Sequence, residues 1–212
     1  MPLSLKQKIK DPKQGVYLIG TTPPKADTAA DKVERIASKL LKRLNEIEFD
    51  GVVVYDIQDE SSRVAEQRPF PFHATLDPRE YGQLLRKLAR RDVITYKSVA
   101  QRDAEEFNQW LETTSSDYDL HNLVLVGSPS STGTIKLSLS EAYEQLADHS
   151  APFYLGGVAI AERHANKGNE HERLIEKSKQ GCEFFITQAV YNAQATIDLL
   201  TSYARSCKQQ IG

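Results

Sequence analysis

"GVVVYD", residues 51–56, decides the fold. Three successive valines followed by tyrosine leave no face for water, so the run reads as a strand covered on both sides. Such strands belong to parallel sheets flanked by helices. The flanking sequence agrees. Upstream, Val33, Ile36, Leu40, Leu41 and Leu44 recur at helical spacing within 27–48. Downstream, "LDPREYGQLLRKLARR" (76–91) opens on Asp77 and Pro78, a cap and first-turn pair.

The same alternation runs along the chain. Strand patterns cover 15–22, 51–56, 93–99, 121–128, 151–160 and 182–188. Helical patterns follow at 27–48, 76–91, 103–112, 140–146, 169–181 and 193–210, with Ser140 as an expected N-cap and Gly181 as a C-terminal stop. Repeated βα units imply parallel strands joined by right-handed crossovers. No G-x-G-x-x-G follows the first strand, which speaks against a dinucleotide-binding doubly wound sheet. Polar or small residues close most strands instead: Thr21–Thr22, Tyr55–Asp56, Lys97–Ser98, Gly127–Ser128, Glu162–His164 and Gln188. A barrel gathers such strand ends on one face. The expected class is α/β, a TIM (β/α)8-type barrel of which residues 1–212 hold six units, as a single domain incomplete at its C-terminus. The long irregular stretch 57–75 reads as a functional or loosely ordered loop.

Composition excludes several classes. With 27 basic and 29 acidic residues and a net charge of −2, no basic stripe suggests nucleic acid. No window approaches the roughly 20 apolar residues of a membrane span, and "MPLSLKQKIKDPKQG" has no signal-peptide core. Cys182 and Cys207 lack metal or redox spacing, which fits a reducing, cytoplasmic setting. His164 and His171 are too widely spaced for a zinc pair, so no metal is expected.

Five strand-end segments carry candidate chemistry. "TTPPKA" (21–26) is a strand stop or the edge of a site. "DIQDESSR" (56–63) is a solvated loop or a holder of a polar substrate or phosphate. "LVGSPSSTG" (125–133) offers hydroxyls and backbone N–H groups to a phosphate but lacks the lysine of a P-loop. "AERHANKGNEHE" (161–172) places His164 after a strand, where a histidine more often meets a ligand than a core. "TQAVYN" (187–192) ends an apolar strand in Gln188, whose planar amide suits a heterocyclic amide edge or is satisfied by neighbouring side chains or water.

The block "YLGGVAIAERHANKGNEHERLIEKSKQGCEFFITQAVYNA" (154–193) resembles the methylenetetrahydrofolate reductase family, with Glu162, His164, Lys177, Gly181, Thr187 and Gln188 at matching places. "YLIGTTPPK" (17–25) is similar to that family's first strand, and the second and fourth strands match more loosely. The resemblance implies a TIM barrel holding FAD. It further implies hydride transfer from NAD(P)H to 5,10-methylenetetrahydrofolate, giving 5-methyltetrahydrofolate. It places Gln188, Thr187 and Tyr191 at the folate, and Tyr55, Tyr96, Ser128, His164, Glu170 and Lys177 at the flavin cofactor.

Departures accompany the likeness. The family's catalytic glutamate corresponds to Gly20, which leaves Asp56 as the nearby acid. Its Arg-Gly-Asp reads Val126-Gly127-Ser128, and its third-strand histidine corresponds to Tyr96. Two expectations therefore stand. One is a reductase with altered or absent flavin. The other is a folate-binding protein or methyl-transfer partner without reductase activity. The partner in both is a small-molecule folate, with homo-oligomerisation left open.

Overall fold

The computed structural model describes residues 3–58, 73–127 and 134–207. Six strands, β1 (Leu18–Thr21), β2 (Gly51–Val54), β3 (Asp92–Ser98), β4 (Asn122–Val126), β5 (Tyr154–Ala159) and β6 (Phe184–Thr187), pair in parallel in chain order. That order separates the two expected architectures. A doubly wound sheet reverses its strand order at a switch point, whereas a barrel wall adds each strand beside the last.

Each strand is followed by helix. The helices are α2 (Ala30–Leu44), α3 (Pro78–Ala89), α4 (Ala104–Ser116), α5 (Leu139–Asp148), the pair α6 (Ala161–Lys167) and α7 (Glu170–Lys179), and α8 (Ala193–Cys207); α1 (Leu5–Lys10) precedes β1. Asp77 caps α3 ahead of Pro78 as its sequence implies. The cap of α5 is Ser138 rather than Ser140, because Glu141 stands three residues after Ser138 and completes a reciprocal capping box. The charged helix expected over 169–181 is shorter and is preceded by α6, so His164 lies on a helix and not at a bare strand end. Gly168 and Gly181 take left-handed φ of 70° and 103° just past these two helices.

Strand alternation sorts the side chains into two layers. Val52, Val54 and Val93 pack with Val33, Ala37, Tyr81 and Leu85 of α2 and α3. Leu123, Leu125 and Leu155 pack with Phe107, Trp110 and Leu111 of α4 and with Tyr143 of α5. Val53, Ile94, Tyr96, Val124, Tyr154 and Phe184 form a separate inner cluster. Its buried members come from strands and from Leu5 of α1, and from no helix of the outer layer. The sheet is therefore curled, helices outside, as a half-barrel of the TIM type.

The short α1 plugs the N-terminal end of the curl. Ser4 and Gln7 form its capping box, and Leu5 enters the inner cluster. The Leu5 N–H donates to Asp92 Oδ2 at 2.9 Å, Lys8 pairs with Asp50, and Lys6 and Lys10 pair with Glu183. Among the described residues, the outer edges of β1 and β6 have no strand partner. No described helix is long and apolar enough to cross a membrane.

Candidate functional site

The strand C-termini meet at the end of the curl opposite α1, and the residues expected there divide between the two layers. Tyr55 and Tyr96 belong to the inner layer. Their rings meet edge to face, centroids 5.0 Å apart at 66°. Gly20 sits under the Tyr55 ring: a Cβ at that position would lie 2.8 Å from Tyr55 Oη and 3.0 Å from Cε2. Val126, Val158 and Ile186 are half-buried around the same inner cluster. Ser98, two residues beyond Tyr96, shares its face. Its Oγ is buried without a hydrogen-bond partner among the described residues. Ser98 was not among the expected site residues, although its spacing from Tyr96 was the available signal.

Asp56 is differently employed. Its side chain is 7% exposed and accepts from Lys97 Nζ at 3.2 Å, the Ser98 N–H at 2.8 Å and Gln58 Nε2 at 2.8 Å. Lys97 belongs to the outer layer, its ammonium 5.6 Å from the Trp110 ring centroid. Nearby, Arg79 lies between the Trp110 and Tyr118 rings, 5.0 and 4.9 Å from their centroids, and bonds Asp77. Burial alone would raise Asp77, but the Arg79 hydrogen bonds and charge outweigh it and hold the carboxyl below its ordinary value. These charges bind α3 and α4 to the ends of β2 and β3.

His164, Glu170 and Lys177 lie behind β5 in the helical layer. Glu170 is fully buried and accepts from the Ile160 N–H at 3.1 Å and Arg163 at 2.8 Å. Lys177 donates to the Val158 carbonyl at 2.6 Å. His164 is buried with Nε2 3.2 Å from Ser202 Oγ of α8, and its ring meets His171 at 5.2 Å. Glu170 Oε1 and Lys177 Nζ are thus spent on the backbone that ends β5, and Glu170 Oε2 on Arg163. Thr187 and Gln188 are exposed, Tyr191 is 91% exposed, and the Gln188 N–H donates to the Ala159 carbonyl at 3.0 Å. Ser128 and most of the 57–75 loop lie outside the described residues. No group of three or more potential metal ligands occurs among the described residues.

These placements bear on the expected FAD. Glu170 and Lys177 have their polar atoms engaged by Ile160, Arg163 and Val158, and His164 Nε2 lies 3.2 Å from Ser202 Oγ. Of the expected cofactor residues that are described, Tyr55 and Tyr96 face the inside of the curl.

Buried ionisable groups give the fold a pH signature. Burial holds Lys97 and Lys177 below the ordinary 10.5, with Asp56 and Glu170 opposing. Burial also raises Tyr96 and Tyr143 above the ordinary 10.0, and pushes Tyr154 up to about 12. Between the lysines' folded values and 10.5 the unfolded chain binds more protons, so their contribution to stability grows with pH. Above 10.0 the unfolded chain loses tyrosine protons that the folded chain keeps, and stability falls. Urea midpoints followed by circular dichroism are expected to drop steeply between pH 10.5 and about 12. A level midpoint over that range would mean that these hydroxyls ionise in place.

In class, the chain is a partial α/β barrel. It superposes on a putative lyase/mutase from Burkholderia cenocepacia J2315 with TM-score 0.54 at 11% identity, covering 90% of this chain and 66% of that one. It also matches 2,3-dimethylmalate lyase, a PEP mutase/isocitrate lyase superfamily member, with TM-score 0.59 at 9% identity over 94% and 65% of the two chains. Those likenesses are to the fold alone.

A third structure is nearer. An uncharacterized protein from Clostridium thermocellum that binds two copies of 5-methyl-5,6,7,8-tetrahydrofolic acid is 33% identical. Its TM-score is 0.80, and the match covers 98% of this chain and 67% of that one. The chain belongs to the same family as the Clostridium thermocellum protein. No protein-family model matches the chain, and no curated protein does.

Proposed function

We propose that this chain binds a reduced folate at the open end of its half-barrel. The observation that carries the reading is the 33% identity, over 98% of the chain, to a protein that binds 5-methyltetrahydrofolate. The inner layer supports it with two tyrosine rings and three half-buried aliphatics at the strand ends. In this reading Gln188 and Thr187 lie at the rim, within reach of the ligand's polar edge, and Tyr191 lies beyond them. The setting we assign is cytoplasmic, matching the two free cysteines.

Isothermal titration of the purified chain with 5-methyltetrahydrofolate tests the proposal. Saturable heat is the expected result. A folded protein giving none at high micromolar ligand would remove the reading.

A second, finer reading is hydride transfer from NAD(P)H to 5,10-methylenetetrahydrofolate. The strand ending in Thr187-Gln188 favours it, through its likeness to the reductase family. Against it stand Gly20 at the place of the acid, and Asp56 with its oxygens already engaged by Lys97, Ser98 and Gln58. Oxidation of NADH or NADPH that depends on methylenetetrahydrofolate, measured with and without added FAD, would establish the enzyme; its absence alongside folate binding leaves a binding protein.

A further inference from the structure

We propose that Tyr55, with Ser98 two residues beyond its neighbour Tyr96 on the same face, is what holds the ligand's ring, and that this subsite takes the uncharged pterin and leaves the folate's acidic tail outside. The inference rests on the folate reading above and adds which residues read which part of the molecule.

Gly20 and Tyr55 form one feature. Any side chain at position 20 would collide with the phenol, whose Oη stands 2.8 Å from where a Cβ would be. The bare backbone of β1 therefore admits the Tyr55 ring across the strand end. Tyr96 meets that ring edge-on at 5.0 Å, so the two rings brace each other. Among the described residues Tyr55 Oη makes no side-chain hydrogen bond, although the ring is only half-buried. Ser98 supplies the independent sign of a ligand. It is 7% exposed and its Oγ is buried with no partner among the described residues. A buried hydroxyl left unpaired is costly, and a ligand atom that pairs with it recovers that cost.

The charges decide the ligand class. Asp56 and Lys97 pair with each other, Glu170 with Arg163, and Lys177 with a carbonyl, all in the helical layer. Tyr55, Tyr96, Ser98, Val126, Val158 and Ile186 stand on the inner face at this end of the strands. Aromatic rings, branched aliphatics and neutral hydroxyls suit a flat heterocycle with a polar rim. They do not suit a carboxylate or a phosphate, which would be desolvated there without a cation.

The test compares 5-methyltetrahydrofolate with 6-methyltetrahydropterin, which lacks the tail, by isothermal titration. Wild type is expected to bind both. Tyr55→Phe removes one hydroxyl and should weaken both ligands about 2–10-fold, as the loss of one neutral hydrogen bond does. Tyr55→Ala should weaken them more than about tenfold, since it also removes ring contact. Gly20→Ala displaces the phenol from a distance. It should weaken binding in wild type and add nothing in the Tyr55→Ala background. Unchanged thermal midpoints in Tyr55→Phe exclude unfolding as the cause. If wild type binds 5-methyltetrahydrofolate and these variants bind as well as it does, or if the pterin alone does not bind, the subsite is overturned while the folate reading survives. If folded wild type binds neither ligand, both fall.

Discussion

Replacing Asp56 by alanine is expected to destabilise the fold by about 3–5 kcal/mol, the usual cost of breaking a buried ion pair from one side. In a chain of this size that corresponds to a melting point lower by roughly 10 °C. The carboxylate and the Lys97 side chain are only 7% and 8% exposed, 3.2 Å apart. Alanine would leave the ammonium beside the Trp110 ring without its counter-ion, and would orphan the Ser98 N–H as well. Lysine has an escape, because a buried amine sheds its proton and so caps the penalty. Burial already holds Lys97 below its ordinary value. The double variant Asp56→Ala with Lys97→Met should therefore be more stable than Asp56→Ala alone, since it removes the stranded charge and keeps the aliphatic bulk. Thermal melts of the single and double variants decide this. A single variant melting within a degree or two of wild type would show that the carboxylate is not pinned and is free for chemistry.

The second large effect lies within the inner cluster. Phe184→Ala is expected to cost about 3–5 kcal/mol, as for other buried aromatics cut back to alanine. The ring stacks on Tyr154 at 4.8 Å and covers Gly156 on the neighbouring strand. A methyl group at position 156 would fall within 2.8 Å of three Phe184 ring carbons. Gly156→Ala alone should thus cost about 1–3 kcal/mol through overpacking. In the Phe184→Ala background the obstacle is gone, and the same methyl would enter the space the ring leaves. Its cost should vanish or change sign. Urea unfolding of the four proteins in the cycle measures the coupling. Additive costs would mean that strand β5, rather than the ring, dictates glycine at 156.

The curl of the sheet was legible in the sequence for a definite reason. Runs such as Gly51–Val54 and Asn122–Val126 carry no polar alternation, which parallel burial alone explains. The choice of barrel came from where polar residues stopped the strands, and the chain-order pairing agrees with it. Other features were not legible. The six residues of α1 are half lysine, and what makes them structural is the distant Asp50, Asp92 and Glu183. Helix α6 was hidden because a short polar segment closed by Gly168 reads equally as a loop.

Candidate site residues were legible as residue types near strand ends, but not by layer. One position along a strand exchanges the inside of the curl for the helical side. Tyr55 and Asp56 are neighbours in sequence, yet one packs into the inner cluster and the other pairs with Lys97. His164, Glu170 and Lys177 sit on helices whose inward faces could be assigned only once α6 and α8 were seen to pack together.

The plug at the base carries a mechanical consequence. In a closed barrel, hydrogen bonds between first and last strands fix the circumference. Across the base of these six strands, α1 adds ties of another kind. Lys8 grips Asp50 ahead of β2, while Lys6 and Lys10 grip Glu183 ahead of β6. Partly exposed ion pairs hold weakly, about 0–1 kcal/mol each, and yield to added salt. Added salt is therefore expected to loosen the grip of α1 on Asp50 and Glu183, while Leu5, buried in the inner cluster with its N–H on Asp92, keeps the helix seated.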